Sequence, residues 1–305
     1  MTAARSFSHS EDSNPVLDDG VLRSVILPQA DHWSNKWFLD TCRQIGYDPM
    51  VTGRLWEWVV VSLIMNALPS SSGCTALGVG VGEEPVIRLA SDLFHPVMVT
   101  DLWSPAWRMS PHEWNSARAQ PVVADATRLP LQDRSIDVLW SVSSIEHFHQ
   151  TPAPFARLWR RIKRLLGTWG IATPWHRGPA LKALAEIERV LRSDGIAIIT
   201  TEIVISGRTP SEFFGFHEFL AMISRSRLRL VSDRCACHLD DYFLRHVLAH
   251  RAIRTWVDPL PHVYLDFDGT VFTPAVFVLA PAAVQVRART EERQREPALS
   301  LGSSM

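Results

Sequence analysis

The chain has 305 residues, and its 31 lysines and arginines nearly balance its 32 aspartates and glutamates. This balance gives the molecule as a whole no electrostatic attraction to nucleic acid or to an anionic membrane. Its 4 scattered cysteines exclude a disulfide framework. The longest apolar run, residues 58–68, is well short of the ~20 residues that a membrane-spanning helix needs. Because the N-terminus also lacks an apolar signal core, we expect a soluble, cytoplasmic protein.

Apolar runs alternate with helical patterns along the chain, which is typical of an α/β domain. The predicted helices lie around 33–45, 52–67, 83–93, 111–118 and 180–192. The predicted strands are 74–80, 96–102, 121–126, 136–144 and 195–203, with a last pair around 264–272. Continuously apolar strands indicate a mostly parallel sheet with helices on both faces.

The two ends of the chain differ in composition from its middle. Residues 1–25 are rich in Ser, Asp and Gly, and residues 284–305 are rich in charge. Such segments bury little apolar surface, so we expect a disordered N-terminus and a flexible tail. The sequence between them predicts a single domain over 26–283.

Three glycines follow the first predicted strand, in the order Gly78-Val79-Gly80-Val81-Gly82. Glycines at this point let the backbone turn tightly and approach a ligand closely. A dinucleotide fingerprint would need a further glycine where this chain has Glu83, and no Gly-Lys-Ser/Thr sequence of a phosphate loop occurs. The form present is the one used for S-adenosylmethionine, which has no pyrophosphate to hold. The alternative is a tight turn without a ligand.

Two carboxylates fall at the ends of the next two predicted strands. Asp101, followed by Leu102, ends the second strand, and Asp125, followed by Ala126, ends the third. Ligands of parallel sheets gather at these strand ends. Asp101 could accept the protons of both ribose hydroxyls, while Asp125 accepts from the adenine amino group and the next backbone N–H binds the ring. The alternative for either acid is a helix cap or a surface position.

Longer segments around these residues resemble a known family. The sequence "ADATRLPLQDRSIDVLWSVSSIEHF" at 124–148 and "ALAEIERVLRSDGIAIITTE" at 183–202 are similar to class I S-adenosylmethionine-dependent methyltransferases. The resemblance covers roughly residues 73–205. Within the family, this segment is most similar to the methyltransferases of sugar and surface-glycan biosynthesis. The resemblance implies a Rossmann-like fold with a mostly parallel seven-stranded sheet, an antiparallel C-terminal strand, and S-adenosylmethionine as cofactor.

One position departs from that family's pattern. Two residues before the first glycine the family usually has an acid, which orders the loop and helps to hold the amino group of the methionine moiety, whereas this chain has Ala76. The methionine end is then left to backbone carbonyls or to another side chain. The departure also leaves open a catalytically silent domain.

The sequence "YLDFDGTVF" at 264–272 matches the nucleophile motif of haloacid-dehalogenase-type phosphatases. That motif belongs on the first strand of a parallel sheet, and each parallel crossover needs a dozen or more residues. Too little chain follows Thr270 to build such a sheet. Asp268-Gly269 between two apolar runs is instead a strong turn signal, so we predict the final antiparallel hairpin.

Candidate catalytic residues follow the fourth predicted strand, in "SSIEHF". His147 could remove a hydroxyl proton near neutral pH, and Glu146 is the second candidate. Ser143 is expected to line the methionine end of the cofactor. The alternative for His147 is a structural or helix-capping histidine. We predict no metal site, since Cys235, Cys237 and His238 have no partner pair elsewhere.

An insertion around 149–180 exceeds what the minimal fold needs, and residues 154–166 form a basic amphipathic pattern. A lid helix with a solvated charged face is one interpretation. Contact with an anionic acceptor, such as a nucleotide sugar, or peripheral contact with a membrane surface is the other.

The sequence therefore predicts an S-adenosylmethionine-dependent methyltransferase that O-methylates a small molecule or a sugar precursor, and it disfavours nucleic-acid acceptors. A silent methyltransferase-like binding module is one alternative. An NAD-dependent sugar oxidoreductase is another, although none of the 3 tyrosines belongs to a Tyr-x-x-x-Lys pair.

Overall fold

The structure is a computed structural model, and it describes residues 14–50, 52–69, 73–81, 84–102, 118–148, 177–207, 209, 213–236, 264–267 and 269–282. Several predicted features lie outside these residues, namely Gly82, Asp268, Cys237, His238, most of the 111–118 helix, the basic pattern at 154–166 and the tail at 284–305.

Five α-helices form within the described residues: α1 Lys36–Gln44, α2 Gly53–Ala67, α3 Val86–Leu93, α4 Arg177–Val190 and α5 Phe216–Arg225. Short 3-10 turns occupy His32–Ser34 and Ile145–His147. The start of α2 is set by Thr52, whose hydroxyl accepts a hydrogen bond from the Leu55 N–H at 3.2 Å. These helices confirm the predicted ones in the described ranges, with ends that differ by a few residues.

The strands are β1 Leu17–Asp18, β2 Val21–Leu22, β3 Val25–Ile26, β4 Ala76–Val79, β5 Val97–Asp101, β6 Ala119–Val123, β7 Ile136–Ser141, β8 Leu191–Ser206, β9 Phe214–Gly215, β10 Leu228–Leu230, β11 Cys235–Ala236, β12 Leu265–Phe267 and β13 Thr270–Pro281. The main sheet runs in the order β6-β5-β4-β7-β8-β13. Pairing is parallel from β6 to β8, and β13 runs antiparallel to β8. Strand β10 pairs antiparallel with β13 at the far edge.

This order confirms the predicted fold class. Six strands and β10 reproduce a mostly parallel sheet of seven with one antiparallel C-terminal strand, and β3, β9, β11 and β12 extend it. The hairpin prediction is also confirmed, because β12 pairs with β13 through Phe267 and Thr270, and Gly269 takes the positive φ of 77° that a tight turn requires.

Two sequence predictions need correction. We expected residues 1–25 to be disordered. Residues 17–22 instead form a β1–β2 hairpin, and Val16 is fully buried. The polar stretch contains apolar side chains that can pack against the rest of the protein. We also expected the fifth strand to begin only at Gly195, with Ser193 and Asp194 outside it. The structure places these residues inside β8, as an irregularity where the β7–β8 register shifts between Leu191 and Ile196.

The core has two layers, one on each face of the sheet. Alternate residues of the central strands point to opposite faces, so Ala76 and Trp140 pack with α2 and α3, while Leu77 and Leu139 pack with α4 and α5. The parallel strands are therefore buried on both sides. Their carboxyl ends lie at a common edge, where the candidate site is found.

Candidate functional site

The glycine loop follows β4 and turns sharply at Gly80, which has a φ of +68°. Side chains of the protein fill the space beside two of its glycines. A Cβ at Gly78 would lie 2.6 Å from Trp140 Cζ2, and one at Gly80 would lie 2.7 Å from Ser144 Cβ. Both glycines are thus required by close packing of the loop against β7 and the segment after it.

Backbone groups of the same loop are held by neighbouring hydroxyls. Thr100 Oγ1 donates to the Gly78 carbonyl at 3.0 Å, and Ser144 Oγ donates to the Gly80 carbonyl at 2.7 Å. The Val81 N–H donates to the Thr100 carbonyl at 3.0 Å. The loop, including the predicted cofactor residue Val79, is therefore fixed between β5 and the segment that follows β7.

Three predicted residues form what we call the open edge: Asp101, Leu102 and Asp125. Asp101 ends β5, and its carbonyl accepts from the Ala124 N–H at 2.9 Å, which ties the ends of β5 and β6 together. Leu102 is 48% exposed although it is a large apolar side chain. Asp125 is exposed, and Ala126 beside it is buried. Two carboxylates and an exposed apolar side chain at neighbouring strand ends suit an adenosine group.

The side chain of Asp125 is already partly used. Its Oδ1 accepts from both the N–H and the hydroxyl of Thr127, each at 2.8 Å. This arrangement stabilises the turn after β6. The second carboxylate oxygen remains for a ligand, so the turn role and the proposed adenine contact are compatible.

The segment after β7 links the glycine loop to buried charge. Ser143 has a φ of +39°, and its N–H donates to Thr200 Oγ1 at 2.9 Å. Its hydroxyl donates to Glu57 of α2, as does the Thr200 hydroxyl. Ser143 is buried beside Ser144, which contacts the glycine loop, and its hydroxyl links this segment to a carboxylate of a distant helix.

Four glutamates surround Arg54 here, and we call these five residues the carboxyl cluster: Arg54, Glu57, Glu84, Glu146 and Glu202. Arg54 Nη1 lies 3.6 Å from Glu57 Oε2 and donates to the Val142 carbonyl at 3.3 Å. Glu57 is 2% exposed and Glu146 is 1% exposed. Thr201 Oγ1 donates to Glu146 Oε2 at 3.0 Å. The cluster gathers side chains from α2, the start of α3, the turn after β7, and β8.

Burial changes the acidity of these groups, since a carboxylate loses its hydration inside the protein. It raises the pKa of Glu57 to about 7 and the pKa of Glu84 to about 8, although the charge of Arg54 opposes both shifts. Burial, the charge of Glu202 and a hydrogen bond with Glu202 raise the pKa of Glu146 well above its usual value. The cluster therefore holds part of its protons near neutral pH.

The two predicted catalytic residues differ in their exposure to solvent. Both lie in the 3-10 turn Ile145–His147, but Glu146 points into the buried cluster whereas His147 is exposed. Because an acceptor must reach the side chain that takes its proton, His147 is the accessible one of the two.

A family model matches part of the chain. Residues 77–172, less than half of the chain, match the family model described as methyltransferase domain. The strand order, the glycine loop after β4 and this match decide the fold. The chain has the mostly parallel, Rossmann-like fold that the sequence predicted, and its residues 77–172 are similar to a methyltransferase domain.

Individual relatives are distant. The demethylmenaquinone methyltransferase of Roseiflexus sp. (strain RS-1) is 27% identical over 145 residues, which cover 45% of this chain and 60% of that protein. A TehB-like S-adenosylmethionine-dependent methyltransferase from Corynebacterium glutamicum is 18% identical with a TM-score of 0.40, covering 83% of this chain and 97% of that one. A phosphoethanolamine N-methyltransferase 2 from Haemonchus contortus, in complex with S-adenosylhomocysteine, is 14% identical with a TM-score of 0.47, covering 80% and 59%.

Sequence reasoning missed four of the five cluster residues: Arg54, Glu57, Glu84 and Glu202. A signal for three of them was present. Arg54 and Glu57 stand in the otherwise apolar helix "GRLWEWVVVSLIMNA", and Glu202 stands in the apolar strand "AIITTEIVI". Charged residues on buried elements are uncommon unless they are paired or functional.

Within the described residues, no helix has the length and apolar character to cross a bilayer. The same part of the chain holds no group of three or more His, Cys, Asp or Glu side chains suited to a metal ion.

Proposed function

We propose that the protein transfers a methyl group from S-adenosylmethionine to a hydroxyl oxygen of a small molecule, with a sugar or glycan precursor as the acceptor class. One observation carries this proposal: the glycine loop, Asp101 and Asp125 lie at the same edge as His147, the exposed candidate base. A cofactor and an acceptor could thus meet at the carboxyl ends of the strands.

The open edge would hold the adenosine group. Asp101 would accept the ribose hydroxyl protons and Asp125 the adenine amino proton, while exposed Leu102 packs against the ring. The backbone of Gly78, Val79 and Gly80, with Gly82 beyond the described residues, would pass beside the methionine moiety, and Ser143 would lie at its end.

His147 would act as the base. When bound, S-adenosylmethionine supplies a methyl group already activated by its sulfonium. His147 takes the acceptor's hydroxyl proton as the new bond to oxygen forms, and the electron pair of the breaking carbon–sulfur bond stays on sulfur. Orientation and exclusion of water at the edge would supply much of the rate.

Glu146 would be a positioning residue. Burial raises its pKa well above the usual value, and its Oε2 accepts a hydrogen bond from Thr201. It would hold the turn that presents His147. The basic composition of residues 154–166, outside the described residues, suits an anionic acceptor such as a nucleotide sugar.

The test combines binding with turnover. Calorimetric titration of the full chain should show binding of S-adenosylmethionine and S-adenosylhomocysteine, and incubation with methyl-labelled cofactor and a panel of nucleotide sugars should label one of them. His147→Gln should lower kcat by about 10²- to 10⁴-fold with unchanged cofactor affinity. Glu146→Gln keeps an oxygen that can accept from Thr201 and should retain most of the activity.

Three results would contradict the proposal. Absence of cofactor binding would remove the function altogether. Label on nitrogen or carbon of the product would exclude O-methylation. Full activity of His147→Gln would exclude His147 as the base. Binding of cofactor without transfer to any acceptor would favour the silent binding module, for which Ala76 is the supporting observation.

A further inference from the structure

Three buried oxygens of the carboxyl cluster lack a well-aligned hydrogen bond: Glu84 Oε2, whose carboxyl group lies near the Trp140 indole, and Glu146 Oε1 and Glu202 Oε2, whose carboxyl groups are neighbours. Glu146 is among the most buried acids of the described chain, at 1% exposure. Buried acceptors without donors are costly and uncommon in native proteins. An ammonium group would supply three N–H donors and a positive charge to such a cluster.

Glu84 brings its carboxyl group to the face of the sheet where the family's usual acid is absent. Ala76 belongs to the core layer that faces α2 and α3, and so does Trp140, which fills the space beside Gly78. Glu84 precedes α3 on that side and interacts with the Trp140 indole. A carboxylate is thus supplied to this face from the far end of the glycine loop.

The carbonyls of the glycine loop are poorly placed for that role. Those of Gly78 and Gly80 already accept hydrogen bonds from Thr100 and Ser144. A carboxylate would add an acceptor for an amino group beside these partly used carbonyls, and Glu84 is the cluster member that follows the loop directly in sequence.

Arg54 gives the cluster its single positive charge among the described residues. Its side chain is 41% exposed, and both its hydrogen bond to Val142 and its ion pair with Glu57 use Nη1. The rest of the planar guanidinium can therefore donate to a carboxylate ligand in the forked geometry that arginine favours. Acids beside one exposed arginine match the two charges of an α-amino acid.

We propose that the carboxyl cluster binds the methionine end of S-adenosylmethionine, with Glu84 accepting from the α-ammonium group and Arg54 donating to the α-carboxylate. This assignment rests on the proposed function, since it presupposes the cofactor. It explains how the site works with alanine at position 76. Glu57, held by Ser143 and Thr200, fixes Arg54 in place.

Three nucleosides separate the two contacts in calorimetric titrations of the full chain. S-adenosylhomocysteine carries both charged groups, decarboxylated S-adenosylmethionine carries the ammonium without the carboxylate, and 5′-methylthioadenosine carries neither. Glu84→Gln should weaken binding of the first two about 10- to 100-fold, the range for a lost charged hydrogen bond, and leave 5′-methylthioadenosine within about twofold.

Arg54→Met should weaken S-adenosylhomocysteine about tenfold and leave decarboxylated S-adenosylmethionine near its wild-type affinity. Glu188→Gln is the matched control, because this acid lies on α4 at the opposite face of the sheet, and it should change none of the three affinities. Thermal unfolding of each variant verifies that it folds.

A measurement on the unmodified chain does not depend on variant folding. Glu84 faces Arg54, Glu57, Asp101 and Trp140, and its pKa is raised to about 8. The affinity ratio of S-adenosylhomocysteine to 5′-methylthioadenosine should therefore rise between about pH 6 and about pH 8, as the carboxyl group ionises.

If Glu84→Gln lowers the affinity for all three nucleosides equally, or lowers it for none of them, the assignment is overturned. A wild-type protein that binds S-adenosylhomocysteine no more tightly than 5′-methylthioadenosine would also overturn it. A wild-type protein that binds none of the three would overturn the proposed function as well, which keeps the two failures distinguishable.

Discussion

The open edge and the carboxyl cluster lie at the same end of one sheet, yet their charges stand in opposite environments. Asp125 and Leu102 of the open edge are exposed, whereas Glu57 and Glu146 of the cluster are almost fully buried. Water screens an exposed carboxylate, so its negative charge has little effect on the free energy of folding in the absence of ligand. A buried carboxylate affects the stability of the protein even without ligand. The two regions should therefore respond differently to pH and to mutation.

The largest expected effect is a loss of stability with rising pH in the ligand-free protein. The pKa of Glu57 rises from 4.5 to about 7 on folding, and that of Glu84 from 4.5 to about 8. Groups whose folded pKa is raised give stability that is present below the unfolded pKa and lost as pH rises through the folded pKa. Unfolding in urea should show a decline on the order of 6 kcal/mol between about pH 5 and about pH 8 if the two groups titrate independently.

Glu57→Gln is the control for this prediction. The amide oxygen can still accept from Ser143 and Thr200 but cannot ionise. Its unfolding free energy should depend less steeply on pH than that of the wild type. If the unfolding free energy of the wild type stays constant or rises over this pH interval, ionising the buried glutamates does not destabilise the fold. The cluster would then behave like the exposed carboxylates of the open edge.

A second, smaller effect concerns the glycine loop that joins the two regions. Gly80→Ala places a Cβ 2.7 Å from Ser144 Cβ at a φ of +68°. Left-handed backbone and overpacking together should lower the unfolding free energy by about 2–3 kcal/mol without ligand. Gly73→Ala, where nothing lies within 4 Å of the added Cβ, is the control and should change little. Similar stabilities of the two variants would show that the loop is loosely packed.

The difference between the regions also explains what the sequence could predict. Strand ends are local features, so the apolar runs placed Asp101 and Asp125 at the ends of consecutive strands, and Asp268-Gly269 predicted the final hairpin. The cluster joins Glu57 to Thr200, 143 residues apart. Such a contact depends on how α2 packs against β8, which no local pattern contains.

The local sequence likewise could not predict which of the two catalytic candidates is exposed to solvent. Glu146 and His147 are adjacent in sequence, and the motif gives them equal standing. The 3-10 turn directs one side chain to the interior and the other to the surface. The direction of each depends on the φ and ψ of that turn and on the packing beneath it, which short-range pattern does not determine.

A third prediction tests the open edge by ligand affinity. Asp101→Ala should weaken S-adenosylhomocysteine binding by about 2 kcal/mol, the scale of a charged hydrogen-bond acceptor. Because the charge of Asp101 is one cause of the raised pKa of Glu84, its removal should make the decline of ligand-free stability with pH slightly less steep. Calorimetry and urea unfolding at two pH values measure both quantities. Unchanged affinity would remove Asp101 from the ribose site.

The smallest effect is expected at Asp125. One of its oxygens already accepts two hydrogen bonds from Thr127, and Asp125→Asn keeps that acceptor while removing the charge. Affinity for S-adenosylhomocysteine should fall by about 1 kcal/mol with no change in unfolding free energy. Asp125→Ala also removes the bonds to Thr127, so it should lose stability in addition. If Asp125→Asn instead weakens binding as much as Asp101→Ala does, the charge at Asp125, and not the fixed turn geometry, governs recognition of the adenine group.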